Sequence, residues 1–236
     1  MNGKFNTIPS LASNSVYLGM MLALVGGFTD AYTFIGRDGV FANSQTGNMI
    51  LLAVKAATGN LKDALTHIPP IAAFISGVLV AEAVKLPNVR QLVYSYRRSI
   101  LILECFVLII VGFLPESVPN VAVTMCISFV TSLQISTFTK IDKWAYSSTM
   151  TTGNLRTAIQ AACTAVKEHD EDAKRQFTGF SAILVFFTFG ALLGTFSTIY
   201  MGNCSIWIAS GVLIVALILY HRDRGYYRKN DLRQSH

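Results

Sequence analysis

The tripeptide Thr-Gly-Asn occurs twice, as Thr46-Gly47-Asn48 and again 106 residues later as Thr152-Gly153-Asn154. Each copy stands near the start of an otherwise apolar stretch. A helix start leaves backbone N–H groups free, and together with the Asn and Thr side chains these can face a small solute or ion. The same residues can instead cap a helix and pack tightly, with no ligand. Gln45 precedes the first copy, and Arg156, which could bind an anion, follows the second. Asp30 lies inside the first apolar stretch, where a charge is costly and is a functional candidate by default. It could also reach water at a helix end, or pair with Arg37. At the same 106-residue offset Gly27-Phe28-Thr29-Asp30-Ala31 meets Leu133-Gln134-Ile135-Ser136-Thr137. The repeat partner of Asp30 is therefore Ser136, beside Gln134, and carboxylate chemistry is not symmetric. Glu104 could pair with Arg156 across a helix bundle, but the favoured reading is that both snorkel to an interface.

No other chemistry competes. Gly26-Gly27 lacks phosphate-loop spacing, and neither GxSxG nor HExxH occurs. His67, His169, His221 and His236 are scattered. Cys105, Cys126, Cys163 and Cys204 form no CxxC pair and read as small apolar packing residues. No enzyme activity, cofactor or metal is expected.

The elements that position these residues must be membrane helices. Of 236 residues, 52% are hydrophobic and 14% charged, against about 25% charged in soluble domains. Barrel strands would read as short alternating segments, and none are seen. The net charge of +6 sits between apolar segments and at the C-terminus, which suits membrane orientation rather than nucleic acid. The region before the first apolar run has one basic residue, Lys4, and no clean cleavage site, so that run reads as a helix and not a signal peptide.

Eight apolar segments can be marked: 16–35, 43–58, 68–86, 99–114, 120–138, 147–166, 177–200 and 205–221. All six prolines lie outside segment interiors. A span needs about 20 apolar residues, and the second and sixth segments fit poorly. Asn43, Ser44, Gln45, Thr46 and Asn48 open the second; the sixth is rich in hydroxyls and carries Asn154, Arg156 and Gln160. If these two enter and leave from one side, sixteen of the nineteen Lys and Arg fall inside, and only Arg37, Lys55 and Lys62 outside. Eight full spans would strand one of the two strong basic clusters outside.

Three spans per half is an odd number, so the second half is inverted relative to the first. The matches at the two motifs, and of Gly77–Ala81 with Gly190–Gly194, are colinear, as duplication requires. The latter are also small-xxx-small patterns that let helices approach closely. The expected divisions are a cytoplasmic segment 1–15, repeats over 16–115 and 116–221, and a basic cytoplasmic tail over 222–236.

The runs Gly27-Phe28-Thr29-Asp30-Ala31, Gly39-Val40-Phe41-Ala42-Asn43 and Thr46-Gly47-Asn48 resemble the YoaK-like family of bacterial inner-membrane proteins of unknown function. Leu133-Gln134-Ile135-Ser136 stands where that family has Leu-Gln-Asn-Ala. The resemblance covers residues 16–221 and implies a six-span protein of the bacterial cytoplasmic membrane, without a substrate.

The expected fold is an all-α polytopic membrane protein: six spanning helices plus two re-entrant or broken helices, in two repeated halves of inverted topology. The leading functional expectation is a small-solute permease of secondary-transporter type. Its site lies between the two Thr-Gly-Asn segments. A passive channel and a non-transporting scaffold or sensor are the alternatives. The expected partners are the lipid bilayer, an unidentified small solute or ion, and further copies of the chain.

Overall fold

The computed structural model describes residues 15–86 and 96–234, with only the backbone described over 222–234. The expected segment 1–15 therefore lies almost wholly outside the described residues, as does Arg90 of the first basic loop.

The chain is helical nearly throughout. Helix α1 spans Val16–Gly36, with Ser15 as N-cap accepting from the Tyr17 N–H at 3.2 Å. After it, Asp38 and Gly39 adopt positive φ, of 61° and 70°, and the chain reverses. Residues 40–44 fold back along α1 before α2 (Gln45–Ala57), which leads through the short α3 (Leu61–Leu65) to α4 (Ile68–Lys85). Pro69 and Pro70 sit in the first turn of α4, where the missing N–H costs nothing. Helices α5 (Tyr96–Phe113) and α6 (Asn120–Thr137) follow.

A two-stranded hairpin, β1 (Lys140–Ile141) and β2 (Trp144–Ala145), then leads to α7 (Thr151–Glu168). Helix α8 (Glu171–Met201) starts at an Asp170 N-cap and ends at Gly202, whose φ is +59°. A 3-10 turn (Gly202–Ser205) joins it to α9 (Ile206–Gln234).

Four stretches among the described residues are long and apolar enough to cross a membrane: Val16–Gly36, Leu61–Lys85, Asn120–Thr137 and Glu171–His221, the last comprising α8, the 3-10 turn and the start of α9. At 1.5 Å per residue, the 13 residues of α2 extend about 20 Å, well short of a hydrocarbon core of about 30 Å. Two boundaries differ from the sequence reading. The seventh segment, expected from 177, begins at Glu171 because Asp170, Glu171 and Asp172 form a favourable acidic first turn. Helix α9 runs on through 222–234 rather than ending at 221.

Helix α1 packs most extensively along α8, and α4 along α6. Glycines set both contacts. A Cβ on Gly27 would collide with the Phe187 carbonyl, and one on Gly190 with the Leu24 carbonyl. A Cβ on Gly77 would collide with Ser132 and the Phe129 carbonyl. Helix α7 lies against α8, and α5 against α9 and α6. The main core gathers Leu22, Val25 and Phe28 of α1, Leu101 and Leu108 of α5, Ile127 of α6, and Leu213 and Ala216 of α9. The outer face of α8 leaves Val185, Phe189, Leu192, Phe196 and Ile199 exposed, which suits contact with lipid.

Candidate functional site

Asp30 is the anchor of the folded-back chain. It is buried in α1 at 4% exposure. Its Oδ1 accepts from the Asn43 N–H at 2.7 Å and, more weakly, from the Ser44 N–H at 3.4 Å, while Oδ2 accepts from the Ser44 hydroxyl. These N–H groups lie at the start of α2, where helical geometry leaves donors without intrahelical partners. A carboxylate from α1 thus caps α2. Thr33 Oγ1 accepts from the Ala42 N–H at 3.1 Å, and Asn43 Nδ2 donates to Thr29 Oγ1 at 2.9 Å and to the Gly26 carbonyl at 3.2 Å. From α6, Ser128 donates its hydroxyl proton to the Ala42 carbonyl.

The second linker reaches the same level of α1. The Thr149 methyl lies 2.6 Å from where a Cβ on Gly26 would stand, a position only glycine leaves open. Asn43 and Thr149, each preceding its own helix, therefore both touch Gly26.

Each Thr-Gly-Asn motif clamps its own linker. Asn48 accepts from the Phe41 N–H at 2.9 Å and donates to the Phe41 carbonyl at 2.8 Å. Asn154 donates to the carbonyl of Ser147, again seven residues upstream, at 2.6 Å. The backbone repeats as well. Gln45 N–H bonds the Asn43 carbonyl and Asn48 N–H that of Ser44; Thr151 N–H bonds the Thr149 carbonyl and Asn154 N–H that of Met150.

Of the expected site residues, Asp30, Asn48, Gln134 and Asn154 are buried. Gln45 is half-buried and bridges the Ala42 carbonyl and Asn48. Gly47 sits under the Phe41 ring, 2.9 Å from a would-be Cβ. Thr46, Thr152, Gly153 and Arg156 are exposed and do not join the Asp30 cluster. Arg37 does not pair with Asp30. It donates to Asn120 at 3.0 Å, and to Tyr32 and Asn203 at 2.8 Å each. Glu104 neither snorkels nor pairs with Arg156: it is fully buried, and both carboxyl oxygens lack a hydrogen-bond partner.

Several participants were not anticipated as site residues: Asn43, Ser44, Thr29, Thr33, Ser128 and Thr149. The readable signal for the first two was their place just before a helix start, where Asn and Ser are favoured. His67, at the start of α4, lies with Nδ1 3.3 Å from Asn48 Oδ1. Four buried polar atoms at or near this region have no partner: Asn43 Oδ1, His67 Nε2, Ser148 Oγ and Gln134 Nε2. No group of three or more His, Cys, Asp or Glu suited to a metal occurs among the described residues.

A separate surface cleft of about 340 Å³ lies between the hairpin, α7 and α8, lined by Trp144, Gln160, Thr164 and Gln176. Lys143, also on its wall, is held above the usual lysine range by its hydrogen bond to Asp172.

No curated protein and no solved structure matches the chain. A family model does, over residues 18–219, under the description "Protein of unknown function (DUF1275)". That span holds both folded-back linkers, both Thr-Gly-Asn motifs and every residue of the Asp30 cluster, and the chain belongs to the DUF1275 family.

Proposed function

We propose that the protein is a small-solute permease of secondary-transporter type in the bacterial cytoplasmic membrane. In this reading two inverted halves carry six spans and two re-entrant segments, and both termini are cytoplasmic. The observation that carries it is the convergence of the two linkers on Gly26, midway along α1. Helices α2 and α7 both begin there, with their N-terminal ends toward the same buried polar region. Interrupted helices that start at mid-depth are a recurring way to offer backbone donors to a solute. Asn43 Oδ1 and Ser148 Oγ remain without partners there, so capacity is left for a ligand.

The inverted repeat has independent support. Hydrogen bonds recur at the same 106-residue offset as the motifs. The main pairings are also exchanged: the first apolar segment of each half packs on the third segment of the other, α1 on α8 and α6 on α4. The charge asymmetry and the resemblance to YoaK-like inner-membrane proteins support the location and orientation.

The test is reconstitution in vesicles and a screen of solutes for uptake, with and without a pH gradient. Saturable uptake that falls at least tenfold in Asp30→Asn, Asn48→Ala or Asn154→Ala is expected. Saturable uptake unaffected by all three would remove the site assignment, and flux without saturation would indicate a channel. Single cysteines across 43–58 and 147–166 should react from one side only, and from opposite sides for the two segments.

One observation favours a second reading, a non-transporting membrane scaffold. The Asn48 and Asn154 side chains are committed to their own linkers, as a purely structural motif would have them. Such a protein would transport no solute and admit no water-soluble thiol reagent to either linker.

A further inference from the structure

Glu104 occupies the ninth position of the 18-residue helix α5, its midpoint. The buried residues of that helix, Ile100, Leu101, Glu104, Cys105, Leu108, Val111 and Gly112, form one stripe. Glu104 lies in the centre of the stripe, while Ile102, Leu103, Phe106 and Ile110 face outward. Its exposure is 0%, and neither carboxyl oxygen has a hydrogen-bond partner. It forms no ion pair among the described residues.

Among the described residues the surroundings offer no compensation. Helix α6 contains no acidic or basic residue. Over 206–221, α9 brings Leu213 and Ala216 to the shared core, and its ionisable groups are the buried Tyr220 and the exposed His221. The Ser210 carbonyl faces the Cys105 thiol. In the 3-10 turn the ionisable group is the exposed Cys204, which bonds the Gly112 carbonyl at the far end of α5. Helix α1 adds Tyr32 to the same core, where its hydroxyl serves Arg37, and Asp30 is occupied by the start of α2. Near the Ile100 end of α5, Ala81 of α4 joins a small cluster, and the neighbouring Glu82 and Lys85 pair with each other at the surface.

An isolated carboxylate in such a place is prohibitively costly, so the group is compatible with this closed packing as the neutral acid. A structural role would be filled better by leucine or methionine of similar volume. Asp30, by contrast, is fully used in capping. We infer that Glu104 is the carboxyl that takes up and releases the coupling proton of the transport cycle. Its role in transport rests on the permease reading. A hydronium ion on one side gives its proton to the carboxylate oxygen, leaving water, when the bundle opens to that side. The O–H bond breaks to water when the bundle opens to the other, and nothing is oxidised or reduced.

The test uses the full-length protein. A protonated carboxylic acid adds to the membrane-soluble dicyclohexylcarbodiimide, its proton going to nitrogen and its oxygen to the central carbon, and the O-acylisourea formed rearranges to a stable N-acylurea. Peptide mapping should find that adduct on Glu104 near neutral pH, and the adduct should decline as pH is raised. It should be absent from Glu104→Gln and unchanged in Glu82→Gln. An unlabelled Glu104, or labelling that does not depend on pH, overturns the inference. In vesicles, Glu104→Gln should keep solute exchange at equilibrium but lose accumulation driven by a pH gradient. Accumulation equal to the unsubstituted protein overturns the inference while leaving the permease reading intact. If no solute is carried by either protein the permease reading and the coupling role fall together, and the carbodiimide result alone decides whether Glu104 exchanges a proton.

Discussion

The side-chain amide of Asn48 closes on both backbone groups of Phe41, accepting from its N–H at 2.9 Å and donating to its carbonyl at 2.8 Å. A peptide group that folds back into a bundle has lost water and needs such a partner. Asn154 supplies one bond of the same kind, to the Ser147 carbonyl.

That difference orders two substitutions. Asn48→Ala leaves two polar groups of Phe41 unserved, at about 1–3 kcal/mol for each that stays buried. Asn154→Ala leaves one. Thermal unfolding in detergent should therefore rank Asn48→Ala as the more destabilising. The reverse ranking would mean that water serves Phe41 and the clamp is dispensable.

Asp30 predicts a contrast between isosteric and truncating changes. Asp30→Asn keeps one carbonyl oxygen for the Asn43 N–H, and its amide can donate to the Ser44 hydroxyl, so a loss of about 1 kcal/mol is expected. Asp30→Ala removes the cap from α2 altogether and should cost about 3 kcal/mol. Hydrogen exchange checks this locally: amides of residues 43–48 should lose protection in Asp30→Ala and largely keep it in Asp30→Asn.

The glycines divide into two kinds. Gly27→Ala and Gly190→Ala each drive a methyl into a neighbouring helix carbonyl, with no flexible side chain to yield. Each should cost about 2–3 kcal/mol or prevent folding. Gly153 has nothing within 4 Å of its would-be Cβ, and it lies inside a helix. Gly153→Ala should therefore stabilise by about 0.5–1 kcal/mol. A comparison of melting temperatures for the three variants settles whether the motif's glycine serves space or backbone freedom.

Lys143 gives a pH prediction. Its hydrogen bond to Asp172 holds its pKa above the ordinary value. A raised lysine contributes stability that is fully present below the unfolded-state pKa, about 10.4, and is lost as pH climbs through the folded-state value. The Asp172→Asn variant should differ from the unsubstituted protein by a small, constant amount from pH 7 to about pH 10. The difference should shrink above that and be reduced by salt throughout. Unfolding midpoints across alkaline pH provide the measurement.

Much of the architecture was legible because lipid-facing helices must be apolar along their whole length. The polar run Asn43–Asn48 marks the second segment as different from the apolar ones, and its helix α2 has only 13 residues. Composition could not reveal which groups the motif residues would grip. Asn48 and Asp30 satisfy backbone N–H groups exposed only after the chain has reversed at Asp38 and Gly39, a tertiary event. Glu104 departs from the snorkelling expected of it. The spacing of Ile100, Leu101, Cys105 and Leu108 around it marks an inward stripe, and that helical periodicity was the better guide.

The glycine contacts between helices also constrain how this molecule can move. With the Leu24 carbonyl seated on Gly190 and the Phe187 carbonyl on Gly27, α1 cannot slide or roll against α8 without forcing a side chain where only hydrogen fits. Gly77 imposes the same restriction on α4 against α6. The two helix pairs are thus bolted units. If the permease reading holds, the opening must take place between the two pairs rather than within either.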